Sequence, residues 1–402
     1  MEISINVLVE RVDGFLYEKG MLLYRFQAGL THELPVSTLH RDFPELTRVE
    51  SFQFVREMLS SPRTDGTRKL GLKLLLHFLG DTLEEMRSAS AHETIAQLLA
   101  AAPLKGVDGS LPLSEGLARL PVEPSRDRRA ALEHETGRLL WENQSAWARS
   151  VESAIALAQE LKAPSYAALR EELTGVPMAP LVESSAAVLK KTADAWRDLL
   201  QYALRRLDDT IKEGQLHDAK RAAQAPWMLE LFRKEDLLAA TTRWLSELGL
   251  DPNAEGRLAF DSEERPGKRT GAFVAELQVP DQLRLVVVPR AGFEGYAELL
   301  RAFGRGLHRA YAARTTPLLE RRLGDNAVNR SISALFENVL LDEHWLKRYL
   351  KIPQAQAREA ARLFAFRQML RFRRKAALLP YALELFARGP VQAMAEDYQT
   401  RM

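Results

Sequence analysis

The chain has 402 residues, 46% hydrophobic and 27% charged, which is enough apolar material for a large core. Its 56 basic and 54 acidic residues leave a net charge of +2, which by itself implies no polyanionic partner, and the absence of cysteine excludes disulfides and thiolate metal sites while remaining compatible with a reducing cytoplasm. Glu2, Glu10, Arg11 and Asp13 stand where an export signal would be basic and then apolar, and no uncharged apolar run approaches a membrane span, so a cytoplasmic protein that does not insert in membranes is expected.

In chain order, residues 1–30 read as a helix, with Val9, Val12, Leu16, Leu23 and Phe26 in loose helical spacing. Residues 51–60 and 68–87 read as two further helices joined by a turn at 61–66, and 89–99 as another. Prolines and glycines between 102 and 124 break the periodicity, and Asp108-Gly109 suits a tight turn between short strands. Residues 125–162 read as one long helix capped by Ser125, and 179–212 as another with Trp196, Leu199, Leu200, Ala203 and Leu207 on its apolar face. Trp227, Met228, Leu231 and Phe232 read as core, and 237–248 as a helix stopped by Gly249.

The pattern then changes. Residues 271–279 alternate, with Phe273, Ala275, Leu277 and Val279 on one face, and 283–288 form a second strand after Pro280-Asp281. Residues 261–271 precede them as a polar loop. A long helix is expected over 353–388, carrying the basic run Arg371-Phe-Arg-Arg-Lys375. The domain reading is an N-terminal helical region, 1–260, with a small β insert near 103–124, and a core at 261–402.

The stretch 296–341 reads as two helices and a loop. Arg301, Arg305 and Arg309 form a stripe at i, i+4 and i+8, opposite an apolar stripe of Leu300, Phe303, Leu307 and Tyr311. A basic wet face explains the stripe without any site. Gly304 and Gly306 each cost a helix about 1 kcal/mol against alanine, which suits a close approach by another backbone. The eight histidines, His32, His40, His77, His92, His134, His217, His308 and His344, contain no pair at i, i+3 or i, i+4, so no local metal motif is present and no cofactor is expected.

This stretch resembles the zinc-binding core of M3-type (oligoendopeptidase F-like) metallopeptidases, in which the first helix carries His-Glu-x-Gly-His and a later glutamate completes the metal site. Here those five positions are Arg301, Ala302, Phe303, Gly304 and Arg305, and the later glutamate falls at Arg330, within Gly-Asp-Asn-Ala-Val-Asn-Arg, before Leu335-Phe-Glu337. Pro266-Gly-Lys before Ala272-Phe273 and Ala163-Pro-Ser-Tyr166 also fit the family pattern. The resemblance implies a mainly α, zincin-like helical body around a cleft with a small β-hairpin region. It also implies that the strand at Ala272, Phe273 and Val274 can hold a peptide backbone, the equal alternative being a hairpin that only caps the core.

The metal chemistry does not carry over. Arginine has no lone pair to donate and stays charged, and alanine accepts no proton. No catalytic residue and no metal ligand are therefore assigned. Arg301, Arg305 and Arg330 become candidates for an anion site, with His308, Glu337 and Asp325 as supporting residues. The simpler alternative is that Glu298, Glu337 or Asp325 neutralises them. The leading expectation is an inactive peptidase homologue that binds a peptide, a protein partner (an M3-like subunit or a second copy) or an anion. The alternatives are a peptide hydrolase with a displaced site, and a nucleic-acid binder using Arg301, Arg305, Arg330 and the run 371–375. In M3 peptidases further helices follow this point of the sequence, so an apolar groove is expected near the Arg301 helix and the helix at 353–388.

Overall fold

A computed structural model describes residues 4–62, 66–105 and 111–390. Helix makes up 71% of it, in agreement with the mainly α expectation. The chain forms two compact units, one of residues 1–86 with 228–361 and the other of 87–227 with 362–402. The units cut across the expected boundary at 260, because the N-terminal helix packs on the β-sheet that lies more than two hundred residues later.

The first unit is built on three strands. Leu258–Asp261 pairs in parallel with the central strand Gln282–Val288, which pairs antiparallel with the edge strand Gly271–Gln278. Both faces of this sheet are covered, and the central strand carries an apolar run interrupted by the half-buried Arg284, with Leu283, Leu285, Val286 and Val287 all buried. Leu258–Asp261 corrects the sequence reading, which placed no strand there. Four residues are too few to show a period of two.

On one face lies the helix Gly292–Ala310, termed here the arginine helix. Phe303 meets Phe260 edge to face, and Gly306 sits over Leu258 and Val274. The N-terminal helix, Ile5–Gln27, lies on the other face and is capped by Ser4. A Cβ at Gly20 would come within 2.6 Å of the Glu276 carbonyl oxygen, so only glycine allows that approach. Farther along the helix, Tyr24 donates to Asp261. Burial would raise the Asp261 pKa, but hydrogen bonds from Lys268 and Arg265 outweigh it and hold the carboxyl below its ordinary value. Phe232 packs on Phe293 and Tyr296, and Met228 is buried, as the core reading of that segment required.

In the second unit, Ser125 caps a helix as expected, accepting from the Arg128 N–H. The two long helices read over 125–162 and 179–212 are each broken in two: Arg126–Glu142 and Gln144–Glu160 meet at Asn143, and Met178–Lys191 and Ala193–Leu207 meet at Thr192. Polar single-residue breaks leave the apolar period almost in phase, so the pattern hides them. Conversely, 68–87 and 89–99 fuse into one helix, Gly66–Ala101. The short strands Pro103–Leu104 and Leu111–Pro112 pair as expected, while Asp108-Gly109 lies outside the described residues. Between this pair and Ser125 the chain forms a helix, Leu113–Arg119, that the prolines and glycines concealed. Leu104, Leu113, Leu120, Leu132 and Leu139 form a local core here. The buried Arg129 donates to Asp218 at 2.8 Å and to the carbonyls of Glu123 and Pro124.

The helix Gln354–Arg388 contributes to both units. From its basic run, Arg373 donates to the Leu189 carbonyl and to Thr192 and lies over the Trp196 ring, so that residue fastens helices together. Among the described residues no helix is long and apolar enough to cross a membrane.

Candidate binding site on the arginine helix

Of the nineteen residues of the arginine helix, fourteen are buried. The remainder, Glu294, Glu298, Arg301, Arg305 and His308, recur at alternating spacings of four and three and form one polar line. Glu294 in the first turn and Arg309 in the last have the charges that suit the helix dipole. Gly304 lies against the companion helix Asn326–Glu337, where a Cβ would come within 3.0 Å of the Ile332 carbonyl oxygen and the Ser333 Cα. The close backbone approach expected for this glycine is present. Tyr311, read as part of the apolar stripe, is instead 41% exposed just beyond the helix end.

The arginines go to different partners. Arg301 reaches the buried Glu337 at 2.6 Å and Glu294 at 3.5 Å. Arg305 pairs with Glu276 of the edge strand at 2.7 Å. Arg309, almost fully buried, takes the other Glu276 oxygen at 2.8 Å and also donates to the Arg321 and Arg322 carbonyls at the end of the short helix Leu318–Arg322. Burial would raise the Glu276 pKa, but Arg305 and Arg309 outweigh it and lower the value. Arg330 is exposed, and no hydrogen bond or ion pair to it is found among the described residues. Two of the three candidate arginines are thus held by separate carboxylates, and the third faces water.

The supporting residues divide similarly. Glu337 neutralises Arg301, as the simpler alternative required, but Glu298 pairs with Arg290, and Asp325 caps the companion helix by accepting from the Ala327 and Val328 N–H groups. Burial raises the Glu298 pKa against the opposing pull of Arg290. The His308 pKa is lowered by burial and by Arg309, against hydrogen bonding to Asn329. Ala302 is buried. On the edge strand, Ala272 and Phe273 are half-buried and Val274 is buried, and among the described residues the strand is paired on one side only.

Sequence reasoning missed Glu276 and the structural role of Arg309. The one available signal for Glu276 was a lone acid in an apolar alternation, which needs a partner wherever both sheet faces are covered. Among the described residues no three histidine, aspartate or glutamate side chains come together as a metal donor set. Arg301, Ala302, Arg305 and Arg330 do not fit a zinc ion.

No family model matches the chain, and no curated protein is similar to it in sequence. Solved structures do resemble it. PZ peptidase A, solved with an inhibitor, aligns with 94% of this chain at a TM-score of 0.57 and 14% identity. This chain covers 65% of that one. A Bacillus anthracis protein described as an oligoendopeptidase F matches over 94% of the chain and 80% of its own, with a TM-score of 0.50 and 12% identity. A Chlamydophila abortus protein described as a peptidase matches over 94% and 70%, at 0.50 and 15%. The fold is that of the helical M3-type peptidases.

Proposed function

We propose that this protein is a non-catalytic member of the peptidase-like fold that binds an extended peptide or protein segment. The observation that carries this reading is the state of the arginine helix. Where a metallopeptidase needs imidazoles and a carboxylate, this chain has Arg301, Ala302, Arg305 and Arg330, and two of these arginines are committed to Glu337 and Glu276. A dication would meet repulsion there and no donor.

Binding is supported by the edge strand beside that helix. Along Ala272, Phe273 and Val274, a strand paired on one side turns the backbone N–H and C=O of every second residue outward, where an added strand can take them. Arg305, half-exposed, and Arg330, exposed, supply positive charge for acidic side chains or a terminal carboxylate. In this reading the arginines select acidic peptides, and the strand supplies sequence-independent affinity.

The test has two arms. Protein incubated with zinc and then dialysed is analysed for metal and for cleavage of a peptide library, and an array of extended peptides is screened for binding. No stoichiometric zinc, no cleavage, and binding that acidic residues strengthen are expected. One tightly held zinc per chain with chelator-sensitive cleavage would overturn the non-catalytic reading.

A further inference from the structure

A cavity of about 510 Å³ lies between the end of the arginine helix, the segment that follows it with the short helix Leu318–Arg322, and the companion helix. That volume is within the range of ligand pockets, roughly 300–1,000 Å³. Its wall is formed chiefly by Leu250, Leu307, Tyr311, Val328, Ile332 and Phe336.

The charged groups in the wall are almost all committed to the protein itself. Arg309 serves Glu276 and two carbonyls, Arg321 donates to the Arg314 carbonyl, and Asp325 accepts from two backbone N–H groups. His308 and Asn329, hydrogen-bonded to each other, present an imidazole and a carboxamide to the cavity. Burial and the neighbouring Arg309 depress the imidazole pKa, so it is neutral at pH 7. Apolar walls with one neutral polar pair match the usual make-up of a small-molecule site.

We propose that this cavity binds a small, neutral aromatic molecule carrying one hydrogen-bonding group, which faces the His308–Asn329 pair while the ring lies among Leu307, Tyr311, Ile332 and Phe336. An ionised ligand is disfavoured, because Arg309 is already paired with Glu276, Arg321 and Asp325 are held by backbone groups, and a buried charge without a partner is costly. Glu320 also lines the cavity, and no partner for it is found among the described residues. A cationic ligand therefore tests whether this carboxylate, and not the apolar wall, makes the selection.

The probe is indole, with indole-3-acetate and tryptamine as its anionic and cationic counterparts, titrated into the full chain by ligand-observed NMR. Indole should bind saturably, with a dissociation constant on the order of 1 mM or below for so small a ligand. Both charged analogues should bind at least about tenfold more weakly. Val328 lines the cavity and is 51% exposed, so Val328→Trp can fold while its ring fills the space. It should weaken indole by about tenfold or more. Ile332→Trp fills the same space from the next turn and should do likewise. Leu335→Trp, on the same helix but outside the lining, should leave binding unchanged. Absence of saturable binding, unaltered binding in the folded Val328→Trp and Ile332→Trp variants, an equal loss in Leu335→Trp, or preference for tryptamine would each overturn the proposal.

Discussion

Replacing Glu276 with alanine is the sharpest perturbation of the arginine helix. The Glu276 side chain is 14% exposed and holds two arginines of unequal exposure, Arg309 at 7% and Arg305 at 53%. Removing one partner of a buried pair costs about 3–5 kcal/mol, since the other charge is left uncompensated. Arg309 keeps its two carbonyl acceptors, which lowers that figure, whereas the half-exposed Arg305 adds at most about 0.5 kcal/mol. The expected loss is therefore about 2–4 kcal/mol, read as a shift in the urea midpoint of the first unfolding transition. Arg305→Ala alone should cost under about 1 kcal/mol. Combining Glu276→Leu with Arg309→Met should restore part of the loss, because neither charge is then stranded. A Glu276→Ala protein within about 1 kcal/mol of wild type would refute the claim that Arg309 depends on this carboxylate.

Other outcomes follow from the same geometry. Gly304→Ala places a Cβ 3.0 Å from two backbone atoms of the companion helix and should destabilise by about 1–3 kcal/mol in urea. Gly137→Ala, in a helix with open space at that point, should instead stabilise by about 1 kcal/mol. Arg330→Ala should leave stability within about 0.5 kcal/mol of wild type, while weakening acidic-peptide binding and flattening its salt dependence. For Glu85, burial is outweighed by His40 and Lys19, which lower its pKa from 4.5 to about 2. A depressed carboxylate stabilises the folded state fully above its unfolded pKa and loses that contribution as pH falls through the folded value. The stability advantage of wild type over Glu85→Gln, followed by urea unfolding across pH, should therefore shrink between about pH 4.5 and about pH 2.

The identity of the residues at 301, 302, 305 and 330 is a property of the sequence, and so is the loss of metal-ligand chemistry there, because no fold gives arginine a lone pair to donate. The amphipathic helix around Arg301 and the hairpin at 271–288 were also legible, since local period reports which face is buried. What each arginine does was decided only by tertiary structure. Glu276 lies 29 and 33 residues before Arg305 and Arg309, and nothing in either segment specifies that a strand will present its carboxylate to that helix face. Arg301 found Glu337 and Arg330 remained in water because the two helices meet at Gly304, and the rotation of one helix about that contact selects which side chains turn inward. The strand Leu258–Asp261 was invisible for a related reason. Four residues gain their place in a sheet by pairing with Gln282–Val288, and such long-range pairing leaves no trace in local periodicity.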